Sequence, residues 1–475
     1  MVFSSPTFLF VFLPVTFGVL ALVRGGRLQN AWLLVMSAAF YLWGGGAAIL
    51  ILAGVCGVSY LGGFIPWARL RAGTEIRARL TLAAVIAVLL VPLITYKYIP
   101  PLSKAALGDG VLQGLVLPLG ISFFTFHAIS YTIDVYRGTV ERERNLADYA
   151  LYLFLFPHQI AGPIVRYAEI REELKTTRII TAREFGYGFS RFSWGLAKKV
   201  LVADQCGRAA DFIFAANATG EGLSIGMAWF GAFMYTLQIY FDFSGYSDMA
   251  IGLAMILGFR FPENFNQPYR SISVTDFWRR WHMTLTRWFR DYVYIPLGGN
   301  RHGPLRGYAA LVTVFLLTSL WHGGTASFLV WGGLHSAVLI IERITGIRKS
   351  ARFTILRRCL IVVFITFSRV PFRSGSLVDA ARYWGSMVAG DWGGLSPQFL
   401  TTVTPLLVIA IVIGVVSLIG SRSATGFGSV FGASSIAGID RFRWQVAVPV
   451  SAVLLVLSAI MVLWSGFSPF LYFQF

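Results

Sequence analysis

The chain has 475 residues, of which 56% are hydrophobic, 15% aromatic and only 13% charged; soluble domains carry about 25% charged residues. So few charges cannot cover the surface of a soluble protein, and the composition predicts a polytopic membrane protein. The 40 Lys and Arg against 22 Asp and Glu, net +18, fall in short loops between apolar runs, where they set topology and meet anionic lipid headgroups. No continuous basic face is left to receive phosphates, which excludes nucleic acid as a partner.

From Thr7 to Val23 the chain is apolar, with no basic leader and no small-residue cleavage site, as in a retained first span and unlike a signal peptide. Further apolar stretches follow at about 31–43, 46–66, 80–97, 112–135, 148–164, 187–204, 225–257, 307–321, 325–341, 356–370, 402–420 and 445–465. A hydrocarbon core of about 30 Å needs about 20 helical residues. Some stretches reach that length and others do not, so about nine to eleven spans are expected, with short, re-entrant or interfacial helices among them. Basic connections cluster at 66–79, 137–144, 166–183, 270–306 and 342–358, many of them expected to face the cytoplasm.

No internal repeat or low-complexity linker divides the chain. The expected organisation is one membrane-embedded domain over 1–475, with N-terminal spans over 1–110, a core over 111–345, and C-terminal spans and an aromatic tail over 346–475. The tail from Phe467 to Phe475 is too aromatic to float in water and is expected to fold back on the protein or the interface. Cys56, Cys206 and Cys359 stand far apart, which predicts buried inert thiols and neither a disulfide framework nor a metal cage.

Ionisable groups inside a membrane cost several kcal/mol unless paired or hydrated. All six histidines (His127, His158, His282, His302, His322 and His335) lie in the central part of the chain, which points to a polar interior there. His127 and Asp134 share a helix face two turns apart. Within the run 225–257, Asp242 and Asp248 are about 240° apart on a helix. They cannot act as a carboxylate dyad, and pairing with Arg or His of a neighbouring helix is the economical role.

From Asp276 to Tyr292, at about 100° per residue, Trp278, Trp281, Leu285, Trp288, Phe289 and Tyr292 fall within one arc. Arg279, Arg280, Arg287 and Arg290 face the other way, with Asp276 and Asp291 among them. This predicts an interfacial amphipathic helix. His282, at the border of the arc, either turns toward a protein site or is incidental to a membrane anchor. Arg279, Arg280 and Arg287 could receive phosphates of a nucleotide carrier; pairing with the two aspartates and with lipid headgroups is the competing role.

The run Gly307–Ile341 has no charged residue and is broken by Trp321-His322-Gly323-Gly324-Thr325. Paired glycines predict a break between two helices of about 15 residues, each reaching about 22 Å and too short to cross the membrane upright. His322 then sits at depth beside irregular backbone, either as a reactive group or as a helix-end cap in a satisfied interior. His335 is expected to pack near Trp331 as a core histidine. There is no Walker loop, Rossmann fingerprint, H-E-x-x-H or paired CxxC, so ATP-driven transport and metallohydrolysis lack support and no metal is expected.

Taken in order, these residues resemble the membrane-bound O-acyltransferases, and within them the bacterial branch that contains the alginate O-acetylation membrane subunit. The resemblance runs through Pro118-Leu119-Gly120-Ile121-Ser122, Asp134-Val135-Tyr136-Arg137, Ala161-Gly162-Pro163 and Phe241-Asp242-Phe243-Ser244-Gly245-Tyr246. It continues through Pro262-Glu263-Asn264-Phe265, Asp276-Phe277-Trp278-Arg279-Arg280-Trp281-His282 and Tyr294-Ile295-Pro296-Leu297-Gly298, and ends at Leu320-Trp321-His322-Gly323 with Trp331-Gly332. About 115–340 is covered closely and the flanks only by apolar character.

The resemblance implies an all-α membrane domain around a central tunnel, with the W-H-G histidine, His322, as catalytic base and His282 at the second polar position. Trp321, Asp242, Ser244, Asp248, Asn264, Arg279, Arg280 and His335 are the expected supporting or substrate-binding positions. One departure is Ala326, where an aromatic residue is frequent, which bears on the pocket wall. The implied donor is cytoplasmic acetyl-CoA, with no bound cofactor. The acyl group would pass across a bacterial inner membrane toward an extracytoplasmic polysaccharide such as alginate, cellulose or peptidoglycan, with a periplasmic SGNH-esterase-type partner completing transfer. Two other readings remain at this point: D-alanyl or other acyl transfer from a carrier-protein thioester to an envelope polymer, and a polysaccharide or lipid transporter without chemistry.

Overall fold

The computed structural model describes residues 2–107, 115–347, 353–419, 443–465 and 470–471. Among the described residues every regular element is helical, and the chain is an all-α polytopic membrane protein. Five helices are long and apolar enough to cross a membrane: Gly26–Gly63, Glu75–Pro101, Pro304–His322, Ala326–Thr345 and Gln445–Trp464. Phe8–Leu22 and Pro405–Val416 are shorter apolar helices. Among the described residues this is fewer than the roughly nine to eleven spans expected from stretch lengths. The central apolar runs account for the difference. The run 148–164 breaks into Leu146–Phe154 and Phe156–Gln159, and 187–204 passes into a π-helical turn at Lys198–Ala203. Ile121–Arg137 has 17 residues and is buried almost throughout. Enclosure by protein selects apolar residues there as lipid would.

Two expectations are corrected. The helices flanking His322 have 19 and 20 residues and rise about 28–30 Å. They extend beyond the charge-free run, starting at Pro304 and continuing through Glu342 and Arg343; the Glu342 carboxylate is buried and accepts from the backbone N–H groups of Val274 and Thr275. The segment 276–292 is not one amphipathic helix. Val274–Arg280 and Met283–Phe289 are separated at His282, whose φ of 44° is left-handed, and a π-helical turn Arg290–Tyr294 follows. Trp281, Leu285, Trp288, Phe289 and Tyr292 are buried, so the aromatic stripe is protein core and not a membrane anchor.

The chain forms two compact units, Met1–Phe192 with Met249–Pro262, and Ser193–Asp248 with Glu263–Phe475. In the first, Phe3, Phe8, Phe12, Phe40 and Phe156 pack ring on ring, with Phe12 and Phe156 centroids 5.2 Å apart. Tyr131, Tyr149, Tyr152 and Tyr167 are fully buried beside Glu143, which accepts hydrogen bonds from the backbone N–H of Arg144 and Asn145 and from the Tyr167 hydroxyl. His127 accepts from the Val165 N–H at 3.2 Å, and its ring centroid lies 4.6 Å from that of His158. Cys56, in this unit, is buried.

The second unit is organised by the pair Pro304–His322 and Ala326–Thr345. Lipid tails are as apolar as leucine, so close backbone approach, not hydrophobicity, must hold such helices together. Gly332 supplies it: a Cβ there would overlap the Ser319 hydroxyl and lie 3.0 Å from the Phe315 carbonyl oxygen. Cys206 is buried as expected, whereas Cys359 is exposed, on the Thr354–Ser368 helix face that also exposes Ile355 and Leu356. Of the aromatic tail, Phe470 and Leu471 are described, and both are buried in this unit.

Candidate active site

His322 is the last residue of the Pro304–His322 helix, and Gly323 extends away from it. A Cβ at 323 would overlap the Phe328 ring. Glycine therefore lets Phe328 lie nearly parallel to the imidazole, at 6.4 Å and 16°. Trp321, Phe372 and Trp331 complete the enclosure, with centroids 4.6, 4.8 and 5.5 Å from His322. The histidine is buried, at 9% exposure.

His282 is held differently. Its Nδ1 lies 3.0 Å from Asn264 Oδ1, which also accepts from the Thr284 hydroxyl at 2.9 Å and the Thr284 N–H at 3.4 Å. The Asn264 amide nitrogen donates to Ser247 Oγ at 3.0 Å. These partners fix the carboxamide, so His282 Nδ1–H is the donor and Nε2 the basic nitrogen. Burial pushes the His282 imidazole down to about 3, which keeps it neutral.

His335 is a third ring in the same wall. Trp278 Nε1–H donates to its Nδ1 at 3.3 Å, and its Nε2 reaches Ser368 Oγ at 3.2 Å. Both nitrogens are engaged, as expected of a core histidine, and its ring lies 5.0 Å from that of Trp331. The three histidines line one cavity of about 40 Å³, together with Asp242, Arg369 and Leu471. That space admits two or three waters or a group of similar size.

The aspartates pair with lysines, not with the Arg or His expected. Asp242 Oδ1 meets Lys199 at 2.9 Å, and Lys199 also meets Asp204 at 2.7 Å. Asp248 meets Lys198 at 2.6 Å. The wide π-helical turn at Lys198–Ala203 carries both consecutive lysines. The other Asp242 oxygen accepts the Leu471 N–H at 2.9 Å, and the Phe470 ring packs edge-on to Tyr246 at 4.9 Å. The end of the chain thus supplies part of the cavity wall. Ser244 is buried nearby but does not line the cavity. Trp321 stands behind it, between His322 and His282, whose ring is 6.1 Å away. Ala326 is exposed, so that departure falls outside the wall.

A second cavity, of about 500 Å³, is lined by Arg279, Arg287, Arg290 and Arg343 over a floor of Leu311, Val314 and Phe315. Arg280 does not line it and pairs with Asp276 at 2.9 Å, which separates the two arginines that the sequence presents together. Among the described residues no group of three His, Cys, Asp or Glu is placed to hold a metal ion.

Lys198, Lys199, Arg369, Phe372 and Leu471 belong to this wall or to its support and were not expected. Two adjacent lysines inside the apolar run 187–204 were a readable signal. Arg369, Phe372 and Leu471 stand in no motif and lie far along the chain from the histidine segments they meet.

The profile of MBOAT, the membrane-bound O-acyltransferase family, matches residues 140–367. A "Probable alginate O-acetylase" of Pseudomonas syringae pv. tomato is 41% identical over 433 residues, 88% of this chain and 81% of the relative. One from Pseudomonas putida is 39% identical over the whole length of both chains. A "Peptidoglycan O-acetyltransferase" of Helicobacter pylori is 33% identical over 82% of this chain and 80% of the relative.

Proposed function

Because the chain belongs to the membrane-bound O-acyltransferase family, we propose that it passes an acetyl group from cytoplasmic acetyl-CoA toward an extracytoplasmic polysaccharide, with His322 as general base. The observation that carries this reading is the 40 Å³ cavity lined by His322, His282 and His335, which suits a short acyl group. Phosphates of the donor suit the arginine-lined cavity, since guanidinium forks match phosphate oxygens and its apolar floor suits a pantetheine arm. Arginine-rich ends of the crossing helices favour a cytoplasmic donor side.

In the reaction, the acceptor hydroxyl oxygen bonds to the thioester carbonyl carbon while its proton moves to His322. The carbonyl π pair goes onto oxygen and then returns, breaking the C–S bond; the departing thiolate takes the proton back from His322. His282 presents a basic Nε2 and no second N–H, so its suited role is to accept a hydrogen bond from the hydroxyl and orient it. Relatives named for alginate and peptidoglycan support a polysaccharide acceptor; a bacterial inner-membrane location and a separate SGNH-type partner that completes transfer outside are part of the same proposal.

The test is release of free CoA thiol from acetyl-CoA by the purified protein. Release by the wild type that is lost in His322→Ala supports both donor and base. Equal release by both proteins removes His322 from the chemistry.

A further inference from the structure

Arg369 follows the Thr354–Ser368 helix, and no motif marks it. It is buried, at 5% exposure, and its side chain lines the cavity that holds His322 and His282. Nη1 donates to the Thr236 carbonyl oxygen at 3.1 Å and to the Tyr269 hydroxyl at 2.6 Å. The guanidinium carbon lies 4.4 Å over the Trp281 ring. These contacts fix the fork in place.

None of them neutralises it. Among the described residues no carboxylate forms an ion pair with Arg369. Asp242, in the same wall, gives one oxygen to Lys199 and the other to the Leu471 N–H. Both Arg369 bonds come from Nη1, so among the described residues the Nε and Nη2 donors of the fork remain for an anion formed in the cavity. His322 and Arg369 line the same cavity of about 40 Å³. It admits the acyl group, on whose carbonyl oxygen negative charge rises when the hydroxyl attacks. The other titratable groups in the wall are poorly suited to meet that charge: Asp242 is an acceptor, His282 offers Nε2 as a base, and both His335 nitrogens are engaged.

We propose that Arg369 is the oxyanion-binding residue of this acyl transfer. It rests on the acyl-transfer reading above. As the acceptor oxygen bonds to the carbonyl carbon, the π pair moves onto the carbonyl oxygen and the guanidinium donates hydrogen bonds to it. When the pair returns and the C–S bond breaks, the charge leaves with the thiolate and Arg369 is unchanged.

The test uses the full-length protein in detergent, with thiol release measured for wild type, Arg369→Gln, Arg369→Lys and Arg369→Ala. Arg369→Gln should lower kcat by about 100-fold or more and leave KM for acetyl-CoA within about threefold, as when one preorganised oxyanion donor is removed. Added guanidinium should restore part of the Arg369→Ala rate, while urea, of the same shape but uncharged, should not. Retention of kcat in Arg369→Gln overturns the proposal. So does a loss that urea and guanidinium restore equally, or that neither restores, because that is packing and not charge. If Arg369→Gln does not fold, Arg369→Lys and the rescue of Arg369→Ala decide in the same way. Inactivity of the wild type toward acetyl-CoA would fault the donor assignment instead, and the series is then read with whichever thioester the wild type consumes.

Discussion

Asn264 Oδ1 accepts the Nδ1–H of His282 at 3.0 Å, and this one contact decides which nitrogen of His282 faces the cavity. Asn264→Leu should let the ring turn and lower turnover about tenfold to 100-fold, the scale seen when a supporting contact to a site histidine is removed. Asn264→Asp makes a sharper case. In the wild type, burial holds His282 down to about 3, so it stays neutral from pH 5 to 9 and adds no acid limb to the rate profile. A carboxylate at 264 favours the imidazolium and raises that value, so an acid limb should appear in the pH–rate profile of the variant. A profile identical to the wild type would contradict this coupling.

His322→Ala should lower thiol release by about 100-fold to 10,000-fold, the usual contribution of a positioned base, with membrane yield unchanged. The imidazole packs against rings that also pack on one another, such as Phe372 with Phe328 and Trp331. Yield and turnover falling together would assign His322 to packing.

Arg279 and Arg280 separate the phosphate reading from the surface reading. Arg279→Gln should raise the KM for acetyl-CoA, because its side chain lines the arginine cavity. Arg280→Gln should leave KM within about twofold, since it removes a partly exposed pair with Asp276 and a long bond to the Asn266 carbonyl oxygen. Equal effects of the two would place the donor phosphates elsewhere.

Gly332→Ala places a methyl group against Ser319 and the Phe315 carbonyl, and should destabilise the protein by about 1–3 kcal/mol through overpacking. Adding Ser319→Ala removes the worst overlap and should restore part of the loss. Thermal unfolding in detergent, for both single variants and the double, checks this.

Much of the site was legible because a membrane makes polar residues expensive. His322 at its helix break, the paired role of Asp242 and Asp248, and His335 beside Trp331 all follow from asking what a buried charge or imidazole must touch. The break at His282 was hidden, because helical periodicity places side chains on faces but cannot register one residue at φ 44°. Which apolar runs cross lipid was not legible, because enclosure by protein and immersion in lipid select the same apolar composition, as Ile121–Arg137 shows. Arg369 escaped notice for a third reason. Its meaning lies in Thr236, Tyr269 and Trp281, which no local spacing connects to it.

The bond from the Leu471 amide to Asp242 spans 229 residues. A ribosome that has just placed Asp242 must therefore translate nearly half of the protein again before that amide exists. Through that interval the aspartate has only Lys199 and the water of a half-built site to hold its charge. That part of the wall is added late, so a chain cut before Leu471 can be threaded into the bilayer and still lack the amide that meets Asp242.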